Sequence, residues 1–223
     1  HLTLAQQRVL NEIDQDLTRG HPMLRLLQGD VGSGKTLVAA LVALPMIQAG
    51  FQVALMAPTE LLSEQHAVQF SEWFRPRGIA VGWLTGSMKA QPRRTMLEQL
   101  KNGTCQMVIG THALFQDEIV FKHLGLAIID EQHRFGVAQR LLLREKGQSL
   151  TPHQLIMTAT PIPRTLAMTH FADLDVSTID ELPPGRTPVE TRILSQSRAS
   201  EITKRLDAQF DDGGQAYCCL LYT

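Results

Sequence analysis

From Thr3 to about Arg19 the apolar residues Val9, Leu10, Ile13 and Leu17 fall on one helical face, and Thr3 is placed to cap the amphipathic helix this spacing predicts. Beyond it the pattern changes. Short apolar runs make strand candidates at Met23–Leu27, Phe51–Met56, Ala80–Leu84, Gln106–Ile109, Leu126–Ile129 and Leu155–Met157. Helical patterns lie between them, near Leu37–Ala49, Thr59–Phe74, Gln91–Asn102 and Arg134–Glu145. Most of the strand runs are continuously apolar rather than alternating, as parallel strands covered on both faces must be. Strand, helix, strand in this rhythm predicts an α/β domain with a mostly parallel sheet and helices on both faces.

The rhythm breaks at Leu182-Pro183-Pro184-Gly185-Arg186-Thr187-Pro188, whose prolines and glycine suit an extended linker better than any element. A strand-like Val189–Leu194, a helix-like Ala199–Phe210, a Gly213-Gly214 turn and an apolar end follow. This predicts a first domain over 1–181, a linker over 182–190 and the truncated start of a second domain over 191–223.

Composition narrows the picture without redirecting it. With 223 residues, 43% hydrophobic and 19% charged, the chain has the profile of a soluble globular protein. The longest apolar run, Leu37 to Ile47, is broken by Pro45 and too short to span a bilayer, so no membrane partner is expected. No signal peptide is visible, and the start at His1 rather than Met suggests a fragment or a processed chain. Cys105, Cys218 and Cys219 form no C-x-x-C pair, and the histidines show no metal-ligand spacing, so buried or incidental thiols in a reducing cytoplasm are expected. A net charge of −1 supplies no global attraction to nucleic acid, and any such contact must come from a local surface.

The chemistry gathers at the predicted strand ends. Gly29-Asp30-Val31-Gly32-Ser33-Gly34-Lys35-Thr36 fits the phosphate-binding pattern G-x-x-x-x-G-K-[ST], between a strand-like and a helix-like run. Glycines let consecutive backbone N–H groups turn around a polyphosphate, and the following helix start adds partial positive charge. Lys35 is then positioned for the β- and γ-phosphates of ATP, and the Thr36 hydroxyl for Mg²⁺. Asp130 and Glu131 follow the apolar run Leu126-Ala127-Ile128-Ile129, where a carboxylate can meet that ion and its neighbour can polarise an attacking water. Ala57–Thr59, Thr85–Gly86, Gly110–His112 and Thr158–Thr160 occupy equivalent strand ends, which implies one working edge.

Asp130-Glu131-Gln132-His133 resembles the D-E-x-H/D box of superfamily 2 helicases and translocases, and other blocks agree in order and spacing. Thr3-Leu4-Ala5-Gln6 resembles the upstream adenine-reading segment, Ala57 to Leu62 motif Ia, Leu84-Thr85-Gly86 motif Ib, Gly110 to Leu114 the next DNA-contacting block, and Thr158-Ala159-Thr160-Pro161 the coupling motif. QGDVGSGKT from Gln28, DEQHRFG from Asp130, TATPIPRT from Thr158 and ELPPGRTP from Glu181 together resemble the RecG family of bacterial branched-DNA helicases, over about Leu2 to Ala216.

The resemblance implies a RecA-like first motor lobe. Lys35 and Thr36 would hold phosphate and Mg²⁺, Asp130 would hold Mg²⁺, Glu131 would activate water and Gln6 would read adenine. His133, Thr158 and Thr160 would couple nucleotide state to DNA grip, and Pro58, Thr59, Thr85, Gly86 and Thr111 would lie along the DNA-backbone track. From the residues alone, Thr59, Thr85 and Thr111 are equally helix caps, a role compatible with phosphate contact. Arg93-Arg94 reads as a solvated helix face, with phosphate contact the alternative. Implied partners are branched or forked duplex DNA, a second motor lobe and an N-terminal branch-binding domain, in a cytoplasmic monomer. Most of the second lobe, with its arginines, lies outside this sequence, so the 223 residues alone are expected to bind ATP weakly and hydrolyse it very slowly. The tail Cys218 to Thr223 departs from the family pattern and carries no assigned role. Two other readings stay open: the motor lobe of a transcription-coupled repair translocase, and a nucleotide-binding module without turnover.

Overall fold

The computed structural model describes residues 2–131, 151–160, 174–181, 191, 193–211 and 213–217. The chain divides into two compact units, 1–184 and 185–223. The first contains helices α1 (Leu4–Leu17), α2 (Lys35–Gln48), α3 (Glu60–Phe74) and α4 (Ala90–Asn102) and strands β1 (Leu24–Gly29), β2 (Gln52–Met56), β3 (Val81–Leu84), β4 (Met107–Gly110), β5 (Leu124–Asp130), β6 (His153–Thr158) and β7 (Asp175–Ile179). The strands form one sheet in the order β3-β4-β2-β5-β6-β1-β7, and every pairing is parallel. The α/β architecture expected from the continuous apolar runs is the one observed.

Alternation along each strand sends side chains into two cores, one per face. Val53, Leu55, Leu126, Ile128, Leu155 and Met157 meet Val9 and Ile13 of α1, Val38 and Val42 of α2 and Phe70 of α3. Ala54, Met56, Ala127, Ile129 and Ile156 face the other way, against Leu100 of α4 and Leu114, Ile119 and Phe121 of the segment between β4 and β5. Both faces are covered by buried apolar residues, so among the described residues the sheet is open at its edges and its strand ends. That is why the polar strand-end loops, rather than a sheet face, carry the site.

Element boundaries sit within a few residues of the sequence expectations, with one strand missed altogether. β7 reads Asp-Val-Ser-Thr-Ile, too polar to register as a buried run. It forms because β1 offers it a parallel ladder and because Arg25, buried on β1, reaches Ser177 through a 2.7 Å hydrogen bond. The same guanidinium donates to Asp16 of α1 at 2.7 Å and lies 3.5 Å from Glu12, which accepts a short hydrogen bond from Ser177. This buried network ties α1 to the sheet edge. The predicted helix over 134–145 lies outside the described residues.

At the opposite ends of the strands, the Met23 N–H donates to His153 Nδ1 at 3.0 Å. Burial pushes the His153 imidazolium below its ordinary value of 6.5, against the pull of Asp16 and with a small push from His21. The unfolded chain therefore binds the proton more readily than the folded one. Stability from this group is complete above pH 6.5 and declines as the pH falls from there towards the folded-state value. Urea midpoints measured between pH 5 and 7.5 are expected to fall on the acid side, and His153→Asn, which keeps an acceptor near Nδ1, is expected to flatten that slope.

The second unit holds a short 3₁₀ turn at Gln196–Arg198 and helix α5 (Ala199–Asp211), with Arg198 and Glu201 paired at 2.6 Å. The helix closes on the expected turn: Gly213, at φ 78°, donates its N–H to Phe210 O at 2.9 Å. The strand expected over 189–194 is not seen at its described residues Thr191, Ile193 and Leu194. Ile193 is 97% exposed, and without a ladder partner among the described residues an apolar residue has little to hold it extended.

Candidate nucleotide site and strand-end loops

The loop from Asp30 to Gly34 leaves β1 and turns at once into α2. Gly32 and Gly34 both have positive φ, 81° and 89°. Gly34 is the N-cap of α2 and has no side chain to occupy the first N–H groups of the helix. A side chain is disfavoured there, because φ 89° is a conformation L residues rarely adopt and a Cβ would displace the amide of Gln6. Lys35 folds back into the loop, its Nζ donating to Gly29 O at 2.7 Å and Asp30 O at 3.0 Å. Burial pushes the Lys35 ammonium below its ordinary range, and Asp130, Glu131 and Asp30 pull in the opposite sense. Ser33 Oγ is buried with no hydrogen-bond partner among the described residues.

Gln6 meets this loop from α1. Its Nε2 donates to Ser33 O at 2.9 Å, and its Oε1 accepts from Thr3 N at 3.0 Å while Thr3 Oγ1 accepts from Gln6 N at 3.2 Å. That reciprocal capping box fixes the start of α1 and holds the amide of Gln6 against the loop.

Asp130 ends β5, and Glu131 follows in a left-handed conformation, φ 52°, the one positive φ outside glycine among the described residues. Such a conformation costs a β-carbon residue on the order of 1–2 kcal/mol. It is held by the Glu131 N–H on Met157 O, 2.9 Å, and by the Ala159 N–H donating to Glu131 Oε1 at 3.4 Å. Thr158 and Thr160 bond each other through their hydroxyls at 2.8 Å, and Gln28 Nε2 donates to Thr160 O at 3.2 Å. The ends of β1, β5 and β6 thus form one hydrogen-bonded patch beside the loop. His133 lies outside the described residues.

An uncapped helix start, an orphaned buried hydroxyl, a lysine ammonium and a nearby carboxylate pair together fit a polyphosphate with its cation. Among the described residues no three His, Cys, Asp or Glu side chains form a metal cage. A nucleotide-bound Mg²⁺ needs none, since phosphate and water supply most of its oxygens and one or two protein groups suffice.

The ends of β2, β3 and β4 make a second patch. Thr59 caps α3, accepting from Leu62 N at 3.3 Å, and Thr111 accepts from Ala113 N at 3.5 Å. Thr85 does not cap α4; its hydroxyl pairs with Ser87 at 3.1 Å. Thr85 and Thr111 are buried, whereas Thr59, Gly86, Ser87 and His112 are exposed and Pro58 is half-buried. Glu60 accepts from Ser87 Oγ at 2.9 Å, and Arg93 donates to Thr85 O at 3.2 Å, to Gln116 at 2.6 Å and to Glu118 at 3.1 Å. Arg93 is therefore a bracket between two loops rather than part of a solvated face. Arg94, with a side chain 70% exposed, is solvated as expected.

Cys105 is buried, and burial pushes its thiol up to about 11, so it is an inert core residue, as anticipated. Cys218 and Cys219 lie outside the described residues. No described helix is long and apolar enough to cross a membrane. Three side chains that sequence reasoning did not select now belong to the two patches: Gln28, Arg93 and His66, whose Nε2 lies 2.9 Å from Asp130 Oδ2. Only the tertiary fold brings the last pair together, across 64 positions of sequence.

The profile of the DEAD/DEAH box helicases matches residues 3–169. A protein of Haemophilus influenzae called ATP-dependent DNA helicase RecG is 62% identical over 98% of this chain, and the protein of the same name from Escherichia coli K12 is 60% identical over the same share. The chain spans 32% of the length of each of these curated relatives. The solved structure of RecG bound to a three-way DNA junction superposes with a TM-score of 0.83 at 45% identity, over 96% of this chain and 28% of that one. The helicase MrfA, at 16% identity, TM-score 0.65 and 97% and 40% of the two chains, shares the fold alone.

Proposed function

The chain belongs to the DEAD/DEAH box helicase family, and from that premise we propose that it is the ATP-binding motor lobe of a DNA helicase that acts on branched or forked duplex in repair and recombination. The observation that carries the reading is the gathering of Lys35, Asp130, Glu131 and the Thr158–Thr160 segment at one strand-end edge. The similarity to a protein solved on a three-way junction supports branched DNA as the substrate class.

In this reading Lys35 and the open N–H groups of α2 hold the phosphates, while Thr36 and Asp130 hold Mg²⁺. When bound, the ion would supply positive charge that offsets the charge of the phosphate oxygens. Glu131, presented by its left-handed backbone, takes the proton of the attacking water. Its bond to Ala159 N–H makes the Thr158–Thr160 segment sensitive to events at that carboxylate, which is the coupling role proposed for these threonines with His133. Gln6 serves adenine recognition from a helix start already tied to the phosphate loop.

The DNA track runs along the second patch, where exposed Thr59, Gly86 and Ser87 offer hydroxyl and backbone donors, with Pro58 beside them. Buried Thr85 and Thr111 hold the loops in shape. Contacts of this kind follow a phosphate backbone without reading bases. A second motor lobe closing on this edge, and a branch-binding domain, complete a monomeric cytoplasmic machine in the full-length protein. Without them, the 223 residues bind ATP weakly and turn it over very slowly.

The test is a substrate comparison with the full-length protein. ATP-dependent remodelling of a three-arm junction, with little action on linear duplex, is the expected result. ATP-dependent displacement of a stalled polymerase without junction remodelling would move the assignment to a repair translocase.

A further inference from the structure

His66 lies midway along α3, on the buried side that also holds Ser63, Ala67, Phe70 and Phe74. Its ring meets Phe70 edge-on, with centroids 6.4 Å apart and planes at 75°. An imidazole on an apolar helix face usually serves packing alone. Here Nε2 lies 2.9 Å from Asp130 Oδ2, and the two side chains are only 11% and 14% exposed. A carboxylate can only accept, so Nε2 carries the proton and donates it into the bond.

We propose that His66 is a positioning residue for the divalent cation: by holding Oδ2 of Asp130 it sets the plane of the carboxylate and presents Oδ1 to the metal. The inference rests on the nucleotide-site reading above and adds a residue to it. The need for such a residue is physical. The terminal torsion of an aspartate is broad, so a metal-binding carboxylate without a partner wanders. It also has a competitor nearby, since the Lys35 ammonium feels the Asp130 charge directly. A donor on the side of α3 keeps the carboxylate from collapsing onto the lysine before nucleotide and metal arrive. Outer-shell partners of metal-binding carboxylates work in this way, and their loss typically weakens metal affinity about 10–100-fold.

Isosteres separate positioning from packing. The Nε2 of glutamine reaches nearly the same point as the Nε2 of histidine, whereas asparagine, one carbon shorter, does not. The measurement uses the full-length protein, a fluorescent ATP analogue and a titration of Mg²⁺, with direct Mn²⁺ binding by electron paramagnetic resonance as a readout independent of turnover. His66→Ala and His66→Asn are expected to raise the metal concentration for half-maximal binding about 10–100-fold, with nucleotide still bound at saturating metal. His66→Gln is expected to restore the wild-type midpoint. Unchanged metal midpoints in His66→Ala, or equal defects in the glutamine and asparagine variants, would overturn the role of His66 and leave the nucleotide site standing. A wild-type protein that binds no nucleotide at any Mg²⁺ concentration would overturn both.

Discussion

Replacing Glu131 by glutamine is expected to lower ATP turnover about 10²–10⁴-fold, the range carried by a positioned general base, while leaving nucleotide binding intact. The substitution keeps the shape of the side chain and an oxygen that can accept from Ala159 N–H, so the 3.4 Å link to the coupling segment survives. The left-handed backbone at φ 52° is set by the Glu131 N–H on Met157 O, and glutamine keeps that too. Only the capacity to take a proton is lost. Single-turnover hydrolysis alongside equilibrium binding of an ATP analogue separates the two effects. Loss of binding in step with turnover would show that Glu131 is structural, unchanged turnover would show that another group takes the proton, and binding with no turnover in either protein would support a module without a catalytic cycle.

Lys35→Ala has the opposite signature: binding itself is expected to weaken about 10–100-fold, since a hydrogen bond to a charged group contributes about 1.5–3 kcal/mol. Nζ now rests on the carbonyls of Gly29 and Asp30, an arrangement that holds the ammonium inside the loop where phosphate oxygens would replace them. Burial already works against its charge there. Removing it therefore costs the fold little, and a thermal midpoint close to wild type is expected beside the lost affinity. Equal affinity in the two proteins would place the phosphates elsewhere.

The sheet was legible in the sequence wherever burial on both faces forced a continuous apolar run, as at Val53–Met56, Met107–Ile109 and Leu126–Ile129. It was illegible at β7, because an edge strand has one neighbour and tolerates Asp175, Ser177 and Thr178. The phosphate loop was legible because its chemistry needs glycines and a lysine at fixed local spacing. Contacts between distant segments left no such trace. Arg93 and Arg94 are adjacent and chemically alike, yet one is drawn inward by Gln116, Glu118 and the Thr85 carbonyl while the other stays in water. No local pattern marks His66, and only the end of β5 reveals its partner. The run Val189–Leu194 suggested a strand, but its described residues Thr191, Ile193 and Leu194 have no ladder among the described residues.

The measurement that bears most directly on the central claim is steady-state ATP hydrolysis by the full-length protein, with Mg²⁺, in the presence and absence of a three-arm DNA junction. Slow hydrolysis without DNA, strong stimulation by the junction and no stimulated activity in Glu131→Gln are expected. Hydrolysis indifferent to DNA, or stimulation that survives in Glu131→Gln, would contradict it.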